Sequence, residues 1–403
     1  QKVPALQTAA ARTATARARI DAASVPQRPG LSVSAGPHAF ASSGSFFVGG
    51  VTADAQAQTV LWGDVSADAR WTVWDFGRTT HAADAARRGA EAAALDESAR
   101  RAEVVERAAL AYLAVHGDDG LLAEAEETVR RRDRQLATVT ALVKSGARSD
   151  FDLQRARFAR DAALADVTRA KAQRAVDGVA LAVALGLDPT ERLAVDEPRL
   201  APGPAVSEGA AAAQATQRPE LRGAEATLSQ SLEALGAARA GRAPTLGIDG
   251  SASLRYTARP DVGTSAGSQL VLGRALLTVP LLDPAVSARI RTAEAEVQER
   301  KAAVDETRAR LRSQGAEAAV QVAAAEAVLA QADNLAQEAQ ATLAHGEARY
   351  KEGFAGLLEL LDAQGVDAAA RLARVRARVQ LAAAQVRLLV ATGRAAELAG
   401  RAR

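Results

Sequence analysis

The residues of this 403-residue chain that could do acid–base or metal chemistry are not arranged for it. Its four histidines, His38, His81, His116 and His345, are scattered without the spacing of paired ligands. The chain has no Cys, no phosphate-binding loop motif, and no G-x-S-x-G or H-E-x-x-H. Carboxylates are numerous, but Ala-rich helices offer no buried pocket that would raise a pKa. The sequence therefore predicts no enzyme, no catalytic residue, no cofactor and no metal site.

A second feature of the sequence is a segment that is present twice. Residues 143–153 read V-K-S-G-A-R-S-D-F-D-L, and residues 350–360 read Y-K-E-G-F-A-G-L-L-E-L. Gly146 aligns with Gly353 and Gly186 with Gly393, a separation of 207 residues in both cases (353 − 146 and 393 − 186). A repeat at this distance predicts two equivalent units that make up nearly the whole chain.

Apolar residues support the duplication because they recur every seven positions in both copies. The second copy steps from Val304 to Leu311 and then, eleven residues later, to Val322. The first copy makes the same step of eleven between Val104 and Val115. A seven-residue repeat is typical of long helices that supercoil, and four additional residues form a stutter that locally unwinds the supercoil.

The composition argues against several classes of protein. The net charge is +2, from 50 basic and 48 acidic residues that alternate along the helices, which predicts a solvated surface and no nucleic-acid partner. The basic run at residues 130–132 is expected to face solvent. No run of about 20 apolar residues could form a transmembrane helix. Because the chain starts inside a helical pattern at Gln1, we expect a processed or trimmed product.

Each half of the chain follows the same predicted plan of helix, strand, strand, long helix, tight turn and helix. The first repeat covers residues 1–188, with strands at about 29–40 and 65–76 and long helices at about 79–142 and 150–185. Residues 41–60, rich in Gly, Ser, Ala and Thr, are predicted to form a loop. A connector covers residues 189–217. The second repeat covers residues 218–403, with strands at about 244–257 and 268–280 and long helices at about 284–345 and 356–393.

The predicted strands allow two interpretations. Each is about ten residues long, which suits a tilted strand of a membrane barrel, but four strands from one chain cannot close such a barrel. A membrane barrel would therefore need several chains, and Trp62, Trp71 and Trp74 would suit its interfacial belt. Alternatively, the strands form two soluble hairpins that cap a coiled coil.

Several short motifs follow one another in a specific order. Residues 218–221 read R-P-E-L, residues 244–246 read P-T-L, and residues 73–77 and 279–283 read V-W-D-F-G and V-P-L-L-D. Residues 350–364 contain Y-x-x-G followed by L-L-D-A-Q. Together with the repeat, this order resembles the TolC family of outer-membrane efflux proteins, whose members carry similar motifs before the second repeat, at strand starts, at strand-to-helix joints and at a helix tip. The resemblance covers nearly the whole chain.

The resemblance implies a mainly α fold with a small β part, built as two tandem helix-strand-strand-long helix-helix repeats. Three chains would form a 12-stranded β-barrel in the outer membrane, continuous with a periplasmic α-helical barrel. The assembly would be a passive exit duct of a tripartite efflux or type I secretion system, carrying small molecules or drugs. Its expected partners are the other copies of a homotrimer, outer-membrane lipid, a periplasmic adaptor (membrane fusion protein) and an inner-membrane pump.

The resemblance also implies a gate at the helix tips. Glu359 and Asp362 lie three residues apart on one helix face, and a trimer would place them around a constriction that favours cations. Tyr350 would donate a hydrogen bond to Asp152 in the closed state, and a second arginine link of some relatives is missing because Ala355 stands there. In the alternative interpretation, these residues form no gate: the carboxylates lie on an ordinary solvated helix face, and Tyr350 only fills its heptad position. The adaptor contacts are expected to be Lys144, Gly146, Lys351 and Gly353.

The main alternative is a soluble periplasmic coiled-coil adaptor or scaffold. An adaptor is expected to contain one helical hairpin instead of two equivalent units, and a scaffold is expected to lack alternating strands beside its helices. A tail fibre would use parallel coils without tight turns at Gly146 and Gly353. These differences favour the duct.

Overall fold

The computed structural model describes residues 3–48, 51–196, 206–260 and 263–401. The first half of the chain contains α1 (Pro4–Ser24), β1 (Gly30–Val48), β2 (Val51–Trp74), α2 (Arg78–Lys144) and α3 (Asp150–Leu185). A short helix, α4 (Glu208–Ala215), precedes the second half. That half contains α5 (Pro219–Ala240), β3 (Thr245–Arg259), β4 (Thr264–Thr278), α6 (Pro284–Lys351), α7 (Leu357–Ala391) and α8 (Ala396–Arg401).

Two helices are exceptionally long. α2 and α6 contain 67 and 68 residues, which at ~1.5 Å per residue gives about 100 Å of helix each. α6 passes its predicted end near residue 345 because Gly346 keeps a helical conformation, and the backbone first leaves the helix near Gly353, whose φ is 84°. Among the described residues, no helix combines the length and apolar character needed to cross a membrane.

Each long helix begins beside an aspartate that follows a strand. Asp75 Oδ2 accepts a hydrogen bond from the Thr79 amide at 2.9 Å, and Asp283 Oδ1 accepts one from the Ala285 amide at 2.8 Å. A carboxylate at a helix N-terminus satisfies amides that have no partner within the helix and complements the helix dipole. The aspartate of each strand-to-helix motif therefore caps a long helix.

The strands of the first half are longer than predicted, because residues 41–60 continue the sheet instead of forming a long loop. β1 pairs with β2 from Gly30↔Arg70 to Val48↔Val51, with one irregularity between Ser42 and Gly44. Backbone pairing does not depend on large side chains, so a segment of small and polar residues can extend a ladder. Residues 49 and 50 of the predicted loop, and residues 197–205 of the predicted connector, lie outside the described residues.

The four strands form one antiparallel sheet in the order β1-β2-β3-β4, in which β1 and β4 are the outer strands. Successive residues of a strand point to opposite faces. One face carries the apolar row Val33, Ala67, Ala252 and Val271, in which Val33 and Val271 are 69% and 82% exposed. The opposite face carries the charged row Arg70, Asp249 and Arg274. The sheet therefore has one apolar and one polar face.

Tertiary contacts divide the chain into two compact units, and each unit combines parts of both repeats. One unit comprises Gln1–Thr13, Ala92–Ala224 and Ala303–Arg403, and the other comprises Ala14–Glu91 and Glu225–Ala302. Neither predicted repeat forms a compact unit alone, since the helices of one half bury their apolar seams against helices of the other. In the larger unit, for example, Leu113 of α2 shares a core with Val386 and Leu389 of α7.

The heptad positions lie in these seams. Val115 and Leu311 are fully buried, Val304 is 5% exposed, and Val104 and Val322 are half-buried. Because a seven-residue period keeps one stripe of a helix on its neighbours, the pattern in the sequence corresponds to the contact surface in the fold.

Candidate functional site

Two turns of the same construction connect the long helices, at Gly146 and Gly353. The φ angles of these glycines are 75° and 84°, a left-handed conformation that glycine adopts without strain. In each turn, the amide after the glycine donates to the carbonyl oxygen five residues earlier at 2.9 Å, which satisfies the helix end. Lys144 and Lys351, predicted with the glycines to contact an adaptor, are exposed beside the turns.

The two predicted gate carboxylates are exposed at the beginning of α7. Glu359 lies in its first turn and Asp362 three residues later, so both belong to one side of the helix. Within the chain, Glu359 Oε1 lies 3.3 Å from Arg349 Nε of α6, and both side chains are about half exposed. An exposed ion pair of this kind contributes little stability and leaves the carboxylate accessible.

The hydrogen bond predicted between Tyr350 and Asp152 is not formed within this chain. The Tyr350 hydroxyl is buried, and no hydrogen-bond partner for it exists among the described residues. Its ring packs in apolar clusters of the helix tips, with Leu343 and Leu360 among its neighbours, and the Arg148 guanidinium lies 5.2 Å from the ring centroid. Apolar packing and a cation–π contact therefore hold the tyrosine in place of the predicted hydrogen bond.

Sequence reasoning missed a group of charges between α2 and α7 that is centred on one buried aspartate. Asp367 is only 1% exposed, although it is charged, and Arg131 Nη1 of α2 donates to its Oδ2 at 2.9 Å. Arg371, one turn further along α7, contacts the same oxygen and also lies 3.8 Å from Glu124 of α2. These residues, Glu124, Arg131, Asp367 and Arg371, are called the α2–α7 clamp below.

Beside the clamp, Arg132 of α2 donates a hydrogen bond to a neutral side chain of α7. Its Nη1 donates to Gln364 Oε1 at 2.6 Å, and Nη2 lies 3.5 Å from the Leu361 carbonyl oxygen. Burial lowers the pKa of the Arg132 guanidinium from its ordinary value. The prediction that residues 130–132 face solvent is therefore wrong for Arg131 and Arg132. The signal that could have found them is the heptad register, which places them near the seam that continues Val129 and Leu136.

A carboxyl pair in the same unit has unusual electrostatics. Burial raises the pKa of Asp118 to about 7, with further contributions from a hydrogen bond to Asp177 and from the charges of Asp177 and Asp119, while Arg174 opposes the rise. The other oxygen of Asp118, Oδ2, is buried without a hydrogen-bond partner in the described part of the chain. Asp118 is therefore protonated more readily than an ordinary aspartate, and the expectation that these helices would not raise the pKa of a carboxyl group is wrong at this position.

The part of the chain that the structure describes contains no arrangement typical of a metal centre. Among the described residues, no group of three or more His, Cys, Asp or Glu side chains is placed to hold a metal ion. His38 and His81 each lie 2.7 Å from one carboxylate oxygen, of Asp64 and Glu233 respectively. Each of these histidines therefore contacts a single carboxylate, in an ion pair or hydrogen bond of a kind that is common on protein surfaces.

Comparison with known sequences assigns both halves of the chain to one family. The profile of the family described as "Outer membrane efflux protein" matches residues 1–187 and 212–394. The chain is also 30% identical over 407 residues to Protein CyaE of Bordetella pertussis, covering 97% of this chain and 81% of that protein.

Solved structures show the same fold. The crystal structure of a membrane protein from Pseudomonas aeruginosa is similar with a TM-score of 0.80 and 23% identity, covering 97% of this chain and 90% of the other. The outer-membrane channel OprN is similar with a TM-score of 0.77 and 24% identity, covering 96% and 86%.

Proposed function

Because the chain belongs to the outer membrane efflux protein family, we propose that three copies of it form a passive exit duct through the outer membrane. The protein is located in the outer membrane and extends into the periplasm. In the proposed assembly, the duct serves a tripartite efflux or type I secretion system, receives small molecules from an inner-membrane pump, and docks to a periplasmic adaptor. The family match spans both repeats, so the alternative of a soluble adaptor or scaffold has no support.

The observation that carries this proposal is the open sheet. Its outer strands, β1 and β4, have no strand partner within the described residues on their outer sides, and its apolar face is exposed. In lipid, free edges must be paired and apolar side chains must face outward. Three chains with four strands each satisfy both requirements when β1 of one copy pairs with β4 of the next, which gives the twelve-stranded barrel and places the charged row toward the lumen.

The helices of the larger unit support contacts between copies of the chain. α3 and α6 carry exposed apolar residues at heptad spacing, a pattern that predicts a coiled-coil seam with another helix. Since α3 and α6 are different surfaces of one chain, contact between α3 of one copy and α6 of the next is heterologous and can close a ring. These exposed residues are Phe151, Phe158, Val176 and Val183 on α3, and Val328 and Leu335 on α6.

The proposed gate consists of the exposed carboxylates Glu359 and Asp362. In a trimer, they would give six carboxylates near the axis, a ring that favours cations. Because the Tyr350 link to Asp152 is missing, these two residues are not proposed as a closing hydrogen bond. The exposed turn residues Lys144, Gly146, Lys351 and Gly353 remain the proposed adaptor contacts.

The first test is the oligomeric mass in mild detergent, measured by light scattering with detergent correction. We expect a mass near three chains of 41.6 kDa, and aggregation when the detergent is removed. In planar bilayers, we expect the trimer to conduct and to prefer cations, and Glu359→Gln with Asp362→Asn to reduce that preference. A monomer or dimer that is independent of detergent, or a trimer that does not conduct, would contradict the proposal.

A further inference from the structure

We infer that the stacked rings of His38 and Trp62, together with the guanidinium of Arg255, form a binding site for planar aromatic anions on the lumen wall of the proposed barrel. These three residues are called the ring–arginine site below. The inference rests on the proposed function, because it names a class of solute that the duct would bind in transit. Its basis is that all three residues lie on the polar face of the sheet.

The register of the strands places Trp62 on the polar face. β2 pairs with β3 without irregularity from Leu61 to Thr72, and Trp62 and Arg70 are separated by an even number of positions, so they share one face. Trp71 is an odd number of positions from Trp62 and lies on the apolar face. The prediction that Trp62 and Trp71 belong to one interfacial belt is therefore wrong for Trp62, which points to the side of the charged row.

Two rings are stacked on this face. The ring centroids of His38 and Trp62 are 5.1 Å apart, with an interplanar angle of 15°. Asp64 Oδ1 lies 2.7 Å from His38 Nε2 and so fixes the imidazole ring. Phe40, two positions from His38 on the same face, is 55% exposed and extends the apolar surface. Because flat rings pack favourably against flat rings, this surface suits a planar aromatic molecule.

The charge beside the rings is a guanidinium without an acidic partner. Thr257 of β3 is opposite Trp62, and Arg255 and Arg259 lie two positions to either side of it. Such diagonal neighbours are about 7–8 Å apart, within reach of long side chains. Both arginines are exposed, and neither has an ion pair within the part of the chain that the structure describes. Asp64, directly opposite Arg255, contacts His38 instead. Arg255 is therefore available to an anionic group.

The charged row of the same face lacks this combination. Arg70 and Arg274 both contact Asp249, at 3.4 and 3.1 Å, and the residue of β1 at that level is Gly30. This row lies six positions from Arg255 along β3 (255 − 249), which is roughly 20 Å at ~3.3 Å per residue. Its arginines share a carboxylate and have no ring beside them, so we expect the row not to bind aromatic anions.

The test measures block of the purified full-chain trimer in planar bilayers by naphthalene-2-sulfonate, a planar aromatic anion. Cyclohexanesulfonate has the same charge without a flat aromatic ring, and N-methylquinolinium is flat but cationic. We expect naphthalene-2-sulfonate to bind about tenfold more tightly than cyclohexanesulfonate, which is in the range of one stacking contact.

Two variants remove one part of the site each. Trp62→Leu should weaken block by naphthalene-2-sulfonate about tenfold, because the stacking surface is lost. Arg255→Gln should weaken it by a similar factor and should not weaken block by N-methylquinolinium, because only the anionic group contacts the guanidinium. If Trp62→Leu does not assemble, Arg255→Gln and the comparison of the two sulfonates decide.

Matched controls separate this site from general effects. Trp71→Leu removes a tryptophan from the opposite face, and Arg274→Gln removes the same charge from the same face, away from the rings. We expect neither control to weaken block by naphthalene-2-sulfonate more than about twofold, well below the tenfold loss of a direct contact. The inference is overturned if Trp62→Leu or Arg255→Gln blocks like the unchanged chain, or if either control weakens block equally.

A separate measurement tests the position of Trp62. In the chain with Trp71→Phe and Trp74→Phe, Trp62 is the only tryptophan. We expect acrylamide in water to quench its fluorescence and brominated lipid not to do so. If brominated lipid quenches Trp62, or if the unchanged chain forms no conducting trimer, the proposed function fails and the inference fails with it. If acrylamide quenches Trp62 but the two sulfonates block equally, only the inference fails.

Discussion

Asp118 makes the stability of the helical unit depend on pH. Its pKa is raised to about 7 from an ordinary value of 3.8, first by burial and then by Asp177. A carboxyl group with a raised folded-state pKa contributes its full stability below the unfolded pKa, and that contribution is lost as pH rises through about 7. Above this range, the buried charge therefore costs stability.

Replacement of this carboxyl group should remove the cost. We expect Asp118→Asn to raise the thermal unfolding midpoint of the detergent-solubilised protein at about pH 8 and to leave it nearly unchanged at about pH 4. Asp119→Asn is the matched control. The carboxylate of Asp119 pairs with Arg174, so its removal should not raise the thermal unfolding midpoint. Equal shifts of the Asp118 variant at both pH values would contradict this interpretation.

Tyr350 provides a second test at the scale of one residue. Since its hydroxyl is buried without a hydrogen-bond partner in the described chain, Tyr350→Phe should raise the free energy of unfolding by about 1 kcal/mol. We also expect the conducting fraction to stay unchanged. Tyr350→Ala, in contrast, should lower the unfolding midpoint because it leaves a cavity. Frequent opening of the Phe variant would show that the hydroxyl does close the gate.

The sequence could identify Tyr350, Glu359 and Asp362 by their positions in a motif, but it could not show their partners. A hydrogen bond depends on a few tenths of an ångström and on side-chain rotamers, which a motif does not specify. Arg131 was missed for a related reason, because an arginine in a basic run is most often solvated. Only the packing of α2 on α7 shows that this arginine faces a buried carboxylate.

At the scale of elements, glycine sets how closely α2 approaches α7. A Cβ atom at Gly117 would lie 2.7 Å from Cγ2 of Val379, and one at Gly120 would lie 3.0 Å from Cγ1 of Val375. Contacts below 3.0 Å cannot be accommodated without movement, so Gly117→Ala alone should destabilise this seam. Glycine at these positions is required by the neighbouring helix and not by the backbone conformation.

The same approach permits a disulfide in a chain that has no cysteine of its own. A Cβ at Gly117 would lie 3.6 Å from Val379 Cβ, within the ~3.5–4.5 Å typical of disulfides. We expect Gly117→Cys with Val379→Cys to form a cross-link under oxidising conditions and to raise the thermal midpoint relative to the reduced protein. Altered mobility on a non-reducing gel reports the disulfide, and Gly117→Cys alone is the control. Failure of the double variant to cross-link would mean that α2 and α7 lie further apart than the structure shows.

The sequence predicted the helices more accurately than the strands. Heptads, aspartates before the long helices and tip glycines carry strong local signals, and the helices lie close to their predicted ranges. The loop expected at residues 41–60 was wrong, because pairing with a partner strand overrides the weak strand preference of a segment rich in Gly, Ser and Ala. Strand length depends on pairing with residues far along the chain, which local composition does not contain.

At the scale of the whole molecule, exposed apolar residues imply contacts with further copies. Phe158 of α3 is 77% exposed and lies seven residues after Phe151. We expect Phe158→Asp to weaken the trimer, because a charge would enter the proposed seam with α6 of a neighbour, and to leave helix content unchanged. Light scattering and circular dichroism measure the two effects. Arg157→Asp, at an exposed neighbouring position, is the control, and a trimer of Phe158→Asp as stable as that of the control would remove α3 from the interface.

The duplication explains why neither repeat is a compact unit. Each half supplies one pair of strands and one pair of long helices, and each compact unit takes residues from both halves. A break between the repeats would therefore separate partners within both units. The sequence revealed the two copies but not this exchange, because heptads show that a helix has a seam and do not show which helix fills it.

The unlike edges of the sheet have a consequence for inheritance. In the proposed trimer, every copy pairs its β1 with one neighbour and its β4 with the other. A single copy with a damaged outer strand therefore prevents closure of the barrel, even when the other two copies are unaltered. A cell that expresses altered and unaltered chains together would build mostly mixed assemblies. Alleles that damage an outer strand should therefore behave as dominant, whereas alleles that prevent synthesis of the chain should behave as recessive.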